Sequence, residues 1–258
     1  MHVNMSVPRI RFALKMAGIH FLGSTVIATI ISAFVIWIIY PFPYLYISGG
    51  LALLLLVVSV DVVCGPLLTL VLSNPAKRRS EIWRDLGLVV VLQCAALGYG
   101  IWTIWEARPL FLVHEVDRFK VITAQNIDSI EIKKLPLSLR PSIWSGPLTV
   151  SIRDPQNEEE RQRVLFESLE GGRDYAERPD FYISYDSEAA LKALGRAIPL
   201  QYFLEKKPDQ RKEIERLISE KKADISHWKY IPIIGRNDWV AVVNGQGLVE
   251  TFLPGDGF

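Results

Sequence analysis

The sequence has 258 residues, half of them apolar, a formal net charge of +1 and only two cysteines. A balance so close to neutral, with no clustered Lys/Arg stripe, speaks against nucleic acid as a partner, because counterion release needs a concentrated basic surface. Cys64 and Cys94 both fall inside apolar runs, so no disulfide framework holds a soluble part together, and small buried hydrophobes are the expected role of both.

Charge and apolarity are unevenly spread. The first 106 residues hold seven Lys/Arg and four Asp/Glu, leaving 22 and 24 of the totals of 29 and 28 for the rest. The chain therefore reads as a membrane part followed by a soluble part of ordinary domain size.

In chain order, residues 1–17 form a short basic tail with Arg9, Arg11 and Lys15. The apolar run 18–40 ends in Trp37, Tyr40 and Pro41 rather than at a small-residue cleavage site, and is longer than a secretory h-region. It reads as an uncleaved first transmembrane helix. The charge-free turn 41–47, rich in Pro and Tyr, suits the aromatic belt of a bilayer. Residues 48–72 are the second span, 25 residues that rise roughly 37 Å as a helix against a hydrocarbon core of about 30 Å. Gly65-Pro66 is a candidate kink within it, since proline removes a backbone donor. The loop that follows carries Lys77, Arg78, Arg79 and Arg84, and the third span, 86–105, ends in Tyr99, Trp102 and Trp105. The basic segments place the N-terminus and the loop 73–85 in the cytoplasm, and the 41–47 turn and everything after Glu106 outside.

The soluble part, 107–258, reads as an α+β domain with an antiparallel sheet. PLFLVHEVDRFKVITA forms a hairpin, 157–169, 187–194 and 208–222 form helices, and the end forms strands joined by turns at 235–238 and 244–247. Ile214, Leu217 and Ile218 would make the apolar stripe of the third helix.

Asp61 is the residue that asks for a function. A carboxylate at mid-span costs about 2.5–3.5 kcal/mol on insertion scales and requires a partner, a proton or a wet cavity. It lies roughly 16 Å from the cytoplasmic end of its helix at about 1.5 Å per residue. At nearby depth the first helix offers Thr25 and Thr29 and the third offers Gln93, making the four a candidate intramembrane polar anchor. Asp61 then either cross-links the bundle or binds the membrane segment of another protein; a proton path calls for more ionisable residues and more spans. His20 reads as an interfacial polar residue. Gly18, Gly23, Gly65, Gly98 and Gly100 allow close helix approach.

In the outer part there is no phosphate-cradling loop, zinc-ligand spacing or nucleophile elbow, so no catalytic residue, metal site or cofactor is expected. His114 and His227 read as core or solvated histidines.

Three stretches, DVVCGPLLTLVLSNPAKRRSEIWRDL, ALGYGIWTIWEARPLFLVHEVDRFKVITAQNID and the terminal WVAVVNGQGLVETFLPGDGF, resemble the TfpX/TfpZ family of type IV pilin accessory proteins. The resemblance extends from the first helix over nearly the whole chain, with Cys64 where that family usually has a small or aliphatic residue. It implies a bacterial inner-membrane, non-enzymatic chaperone or modulator for a cognate type IV major pilin, with the outer part in the periplasm; a chain with spans and an outer domain is then expected to touch both the pilin's transmembrane helix and its head. The competing readings are a membrane-anchored ligand sensor acting through a partner, which the small cytoplasmic segments disfavour, and an envelope enzyme.

Overall fold

The computed structural model describes residues 7–212, 214–216 and 224–258. They form two compact units, one holding the residues up to Ile39 with Gly50–Glu106, the other Tyr40–Gly49 with Ala107–Phe258.

The first unit contains three helices apolar and long enough to cross a membrane, Pro8–Ile39, Gly50–Leu72 and Arg79–Glu106. The first starts as α1 (Val7–Phe34) and continues through a π-helical segment, Val35–Ile39. It begins well before position 18 and takes Arg9, Arg11 and Lys15 into the helix. Pro8 sits in the first turn, where its missing N–H has no intrahelical partner to lose, and good helix formers such as Ala13, Leu14 and Met16 follow.

In the second unit, α2 (Tyr44–Ile47) is a single turn between the first two spans. The second span is built from α3 (Gly50–Ser59), a π-helical turn Val60–Cys64, and α4 (Gly65–Leu72) with Pro66 in its first turn. The third span, α5 (Arg79–Glu106), also starts earlier than its apolar run, taking Arg79 and Arg84 onto the helix. Within the first unit α1 lies along α4, and α5 packs on both α3 and α4. Most large apolar side chains, among them Leu22, Ile30, Leu56, Val71 and Val91, point outward, as a lipid-facing surface requires.

The second unit is built on one sheet of eight strands among the described residues, with β5 paired to β6 off the main path β4-β3-β1-β2-β6-β7-β8. The strands are β1 (Pro109–Glu115), β2 (Arg118–Thr123), β3 (Leu148–Ile152), β4 (Tyr182–Ser184), β5 (Ile198–Pro199), β6 (Lys229–Ile234), β7 (Trp239–Val243) and β8 (Val249–Pro254). The expected purely antiparallel sheet is corrected to a mixed one: β1 pairs β3 in parallel, and β2 pairs β6 in parallel. The cause is the long connection after β2, which carries α6 (Ser129–Lys134) and gives the chain room to return in the same direction, as parallel neighbours require.

Both faces of the sheet are covered, and the alternation of side chains shows how. Leu112, Trp239, Ala241 and Val243 face one layer with Ala193 of α8 (Ser187–Arg196). Phe111 and Val113 face the opposite layer with Leu135, Leu139 and Ala176. Val240 and Val242 pack with Leu200, Phe203 and Leu204 of α9 (Leu200–Lys206). β1 and β7 are thus nearly continuous apolar runs rather than half-polar strands. Another helix, α7 (Glu158–Leu169), is capped by Asn157, whose side chain accepts from the N–H of Glu160 at 2.8 Å. Of the helix expected over 208–222, Ile214 is fully buried against the α9 layer; Leu217 and Ile218 lie outside the described residues.

The 40–49 segment is structural here, not merely a surface turn. Tyr44 and Ile47 join the core, and Tyr46 stacks on Trp239 with ring centroids 6.1 Å apart. The carbonyl of Ile47 accepts from the N–H of Arg236 (2.7 Å) and of Asn237 (3.2 Å), while Asn237 Nδ2 donates to the carbonyl of Tyr46 (2.6 Å).

Candidate functional site

Asp61 sits inside the π-helical turn of the second span and is 7% exposed. In a π turn a carbonyl pairs with the N–H five residues on, and five residues on from Asp61 is Pro66, which has none. Gln93 of α5 supplies the missing donor from outside the helix: its Nε2 reaches the Asp61 carbonyl at 3.0 Å and Oδ1 at 3.1 Å. Gly65 makes room for this, since a Cβ there would stand 1.9 Å from Gln93 Nε2. Asp61, Gln93, Gly65 and Pro66 are thus one local device. Among the described residues Gln93 is the only hydrogen-bond partner of the Asp61 side chain.

The structure does not bring Thr25 and Thr29 to this site. Each bonds back into its own helix, Thr25 Oγ1 to the carbonyl of Phe21 (2.7 Å) and Thr29 Oγ1 to that of Thr25 (2.8 Å). The buried face of α1 is offset by one position and carries Ser24 and Ala28. A contact that sequence reasoning missed links the same helices elsewhere: His20 Nδ1 lies 2.5 Å from Thr69 Oγ1, and Thr69 is fully enclosed.

Around Asp61 the second and third spans leave a groove of about 530 Å³, floored by Asp61 and Gln93 and walled by Leu53, Leu56, Leu68 and Leu92. Gly100 holds the spans close at one end, where a Cβ would stand 2.6 Å from Val57 Cγ2. Gly18, Gly23 and Gly98 meet no neighbour among the described residues and leave open helix surface. Cys64 and Cys94 are exposed rather than buried, because the helix faces that carry them have no packing partner among the described residues, and Cys64 lines the groove. Such a groove can take apolar side chains of a helix and offer one carboxylate to a hydrogen-bond donor among them.

A second concavity, about 930 Å³, lies in the second unit where the parallel strands β1 and β3 end. Open α/β sheets commonly place ligands beyond such strand ends. His114 and Ser151 form its floor; Arg161, Lys192 and Arg196 stand on its exposed rim. His114 is buried with Nε2 unpartnered, and burial pushes its pKa down to about 4, so the ring is neutral near pH 7. Arg153 is held in place by a two-point pair with Glu160 (3.0 and 2.9 Å), which brings the Glu160 carboxyl down to about 2. Val116, at the tip of the β1–β2 hairpin on the wall of this cleft, has φ +56°, unusual for a β-branched residue. His227 is exposed on the surface. No group of His, Cys, Asp and Glu with metal-binding geometry occurs among the described residues.

Comparison with known proteins gives a consistent picture. Residues 8–49 match the family model described as fimbrial assembly protein FimB. The fimbrial assembly protein of serogroup I of Dichelobacter nodosus is 32% identical over 98% of this chain and 99% of its own length. That of serogroup E1 is 31% identical with the same coverage. That of serogroups C1 and C2 is 41% identical over 48% of this chain and 94% of its own length. No solved structure matches.

Proposed function

The chain belongs to the fimbrial assembly protein family, and from that premise we propose that it is an inner-membrane accessory factor that holds a cognate type IV major pilin before assembly. The family names point to an assembly role rather than a catalytic one. The resemblance to the TfpX/TfpZ pilin accessory proteins supports the finer assignment, including the pilin as partner.

The observation that carries the reading is the groove beside Asp61. A buried carboxylate in a helix defect, fixed from one side by Gln93 and opening onto an apolar groove, is suited to a membrane helix with one polar donor. A pilin awaiting assembly presents a long apolar N-terminal helix in the bilayer and a folded head outside. The groove takes the helix, and the outer cleft, whose rim carries Arg161, Lys192 and Arg196 beside Asp154 and Glu158, reads the head. Arg9, Arg11 and Lys15 at the start of the first span, and the basic residues before the third, favour a cytoplasmic N-terminus and a periplasmic outer unit.

The test is pilin co-purification with Asp61→Ala and Asp61→Asn chains in a piliated host, alongside thermal stability in detergent. The expected result is loss of pilin recovery in Asp61→Ala and partial retention in Asp61→Asn, which keeps a polar group. Unchanged recovery and piliation in both would reduce Asp61 to a cross-link within the bundle.

A further inference from the structure

We propose that the loop 142–146 of the outer unit is a membrane-interface anchor, with Trp144 seated among the lipid headgroups and upper acyl chains. Four observations carry this. First, Trp144 is 78% exposed at the tip of the loop, an extreme exposure for so large an apolar side chain in this unit. Second, the sequence from Pro141 to Ile152 contains no charged residue, although the flanking positions are Arg140 and Arg153. Third, the loop bonds to itself. Ser145 N–H donates to the carbonyl of Ser142 (3.2 Å), Ser145 Oγ donates to the same carbonyl (3.1 Å), and Trp144 N–H donates to Ser142 Oγ (3.3 Å). Each backbone group satisfied within the loop lowers the cost of taking it out of water.

Fourth, the loop is attached where the chain leaves the bilayer. Gly146, with φ +67°, packs on Pro41; a Cβ there would stand 3.1 Å from Pro41 Cγ. Pro41 comes just after Ile39, the last residue of the first span, so chain continuity puts it at the membrane surface. Phe42, the next residue, is 65% exposed and adds a second aromatic at the same level. Tryptophan, with an apolar body and one N–H, is the side chain that bilayer interfaces select. The anchor would fix the height at which the outer unit meets a partner's head.

The experiment places a nitroxide label at Trp144→Cys, and separately at Phe166→Cys, in a chain with Cys64→Ala and Cys94→Ala, reconstituted in phosphatidylcholine/phosphatidylglycerol vesicles. Collision with oxygen and with a water-soluble nickel chelate is measured and calibrated with headgroup- and acyl-labelled lipids. The expected result is a label at 144 at or just below the headgroup standard, with nickel accessibility several-fold lower than at 166. A label at 144 as accessible to nickel as one beyond the headgroups would overturn the proposal. Protection that develops only when pilin is co-reconstituted would also overturn it and assign the loop to a protein contact instead. Both positions are exposed, so neither substitution threatens folding.

Discussion

Gln93 carries two bonds to Asp61, and truncating it leaves a buried carboxylate and a carbonyl without a donor. An unsatisfied buried group costs about 1–3 kcal/mol, so Gln93→Ala is expected to lower thermal stability in detergent by that order and to reduce pilin recovery. Gly65→Ala should have the same phenotype, since its methyl would displace the Gln93 amide rather than touch Asp61 itself. A Gly65→Ala chain with normal melting and normal pilin recovery would show that the close approach is not needed. His114 gives a pH prediction of definite sign. Its folded pKa is depressed to about 4 from the usual 6.5, so between those values the unfolded chain binds more protons, and stability falls as pH drops through that window. The loss is on the order of 3 kcal/mol at the acid end. Replacing His114 with Phe, which suits its neighbours Phe119 and Tyr185, should flatten that part of the stability–pH profile. A slope unchanged in His114→Phe would place the titration elsewhere.

The segment 40–49 is the element whose role composition concealed. Its aromatics suit a bilayer interface, and nothing local reveals that Ile47 presents its carbonyl to Arg236 and Asn237 across most of the chain's length. Gly235 is where the two meet: a Cβ would stand 2.5 Å from Ile47 Cγ2 and 2.8 Å from the Ile47 carbonyl oxygen. Gly235→Ala is therefore expected to destabilise the second unit by about 1–3 kcal/mol, the usual cost of overpacking, read as a lower melting temperature. An isolated 107–258 fragment, missing Tyr44 and Ile47, should be less stable than the same fragment with 40–49 fused to it. Other elements were more legible. The hairpin β1–β2, the capped helix after Asn157 and the turn at 244–247 follow from local signals that the structure realises in place. Asp61 and Gln93 could be matched by depth alone, because rise per residue is fixed. Thr25 and Thr29 could not be placed, because one position along a helix turns a side chain by about 100°, and only packing decides whether residues 24 and 28 or 25 and 29 face inward. Sheet direction was hidden for a related reason: β1 and β3 are parallel through a long connection whose return path no local pattern encodes.

For the whole molecule, the proposed topology and the two-level engagement of pilin stand together. In a cysteine-free chain, Ala76→Cys should react with a membrane-impermeant maleimide only after the inner membrane is opened, and Asp209→Cys should react from the periplasm; the reverse pattern would invert the molecule. Charge reversal at Arg161, Lys192 and Arg196 should weaken pilin recovery while changing stability by no more than about 0.5 kcal/mol per substitution, as exposed substitutions usually do. The most direct measurement is site-specific photocrosslinking in a piliated host, with probes at Leu56 and Leu68 on the groove and at Lys192 on the cleft rim. Pilin adducts at both levels, with the groove adducts lost in a folded Asp61→Ala chain, are the predicted result. Probes that are incorporated in a piliated host yet capture no pilin at either level would contradict the account.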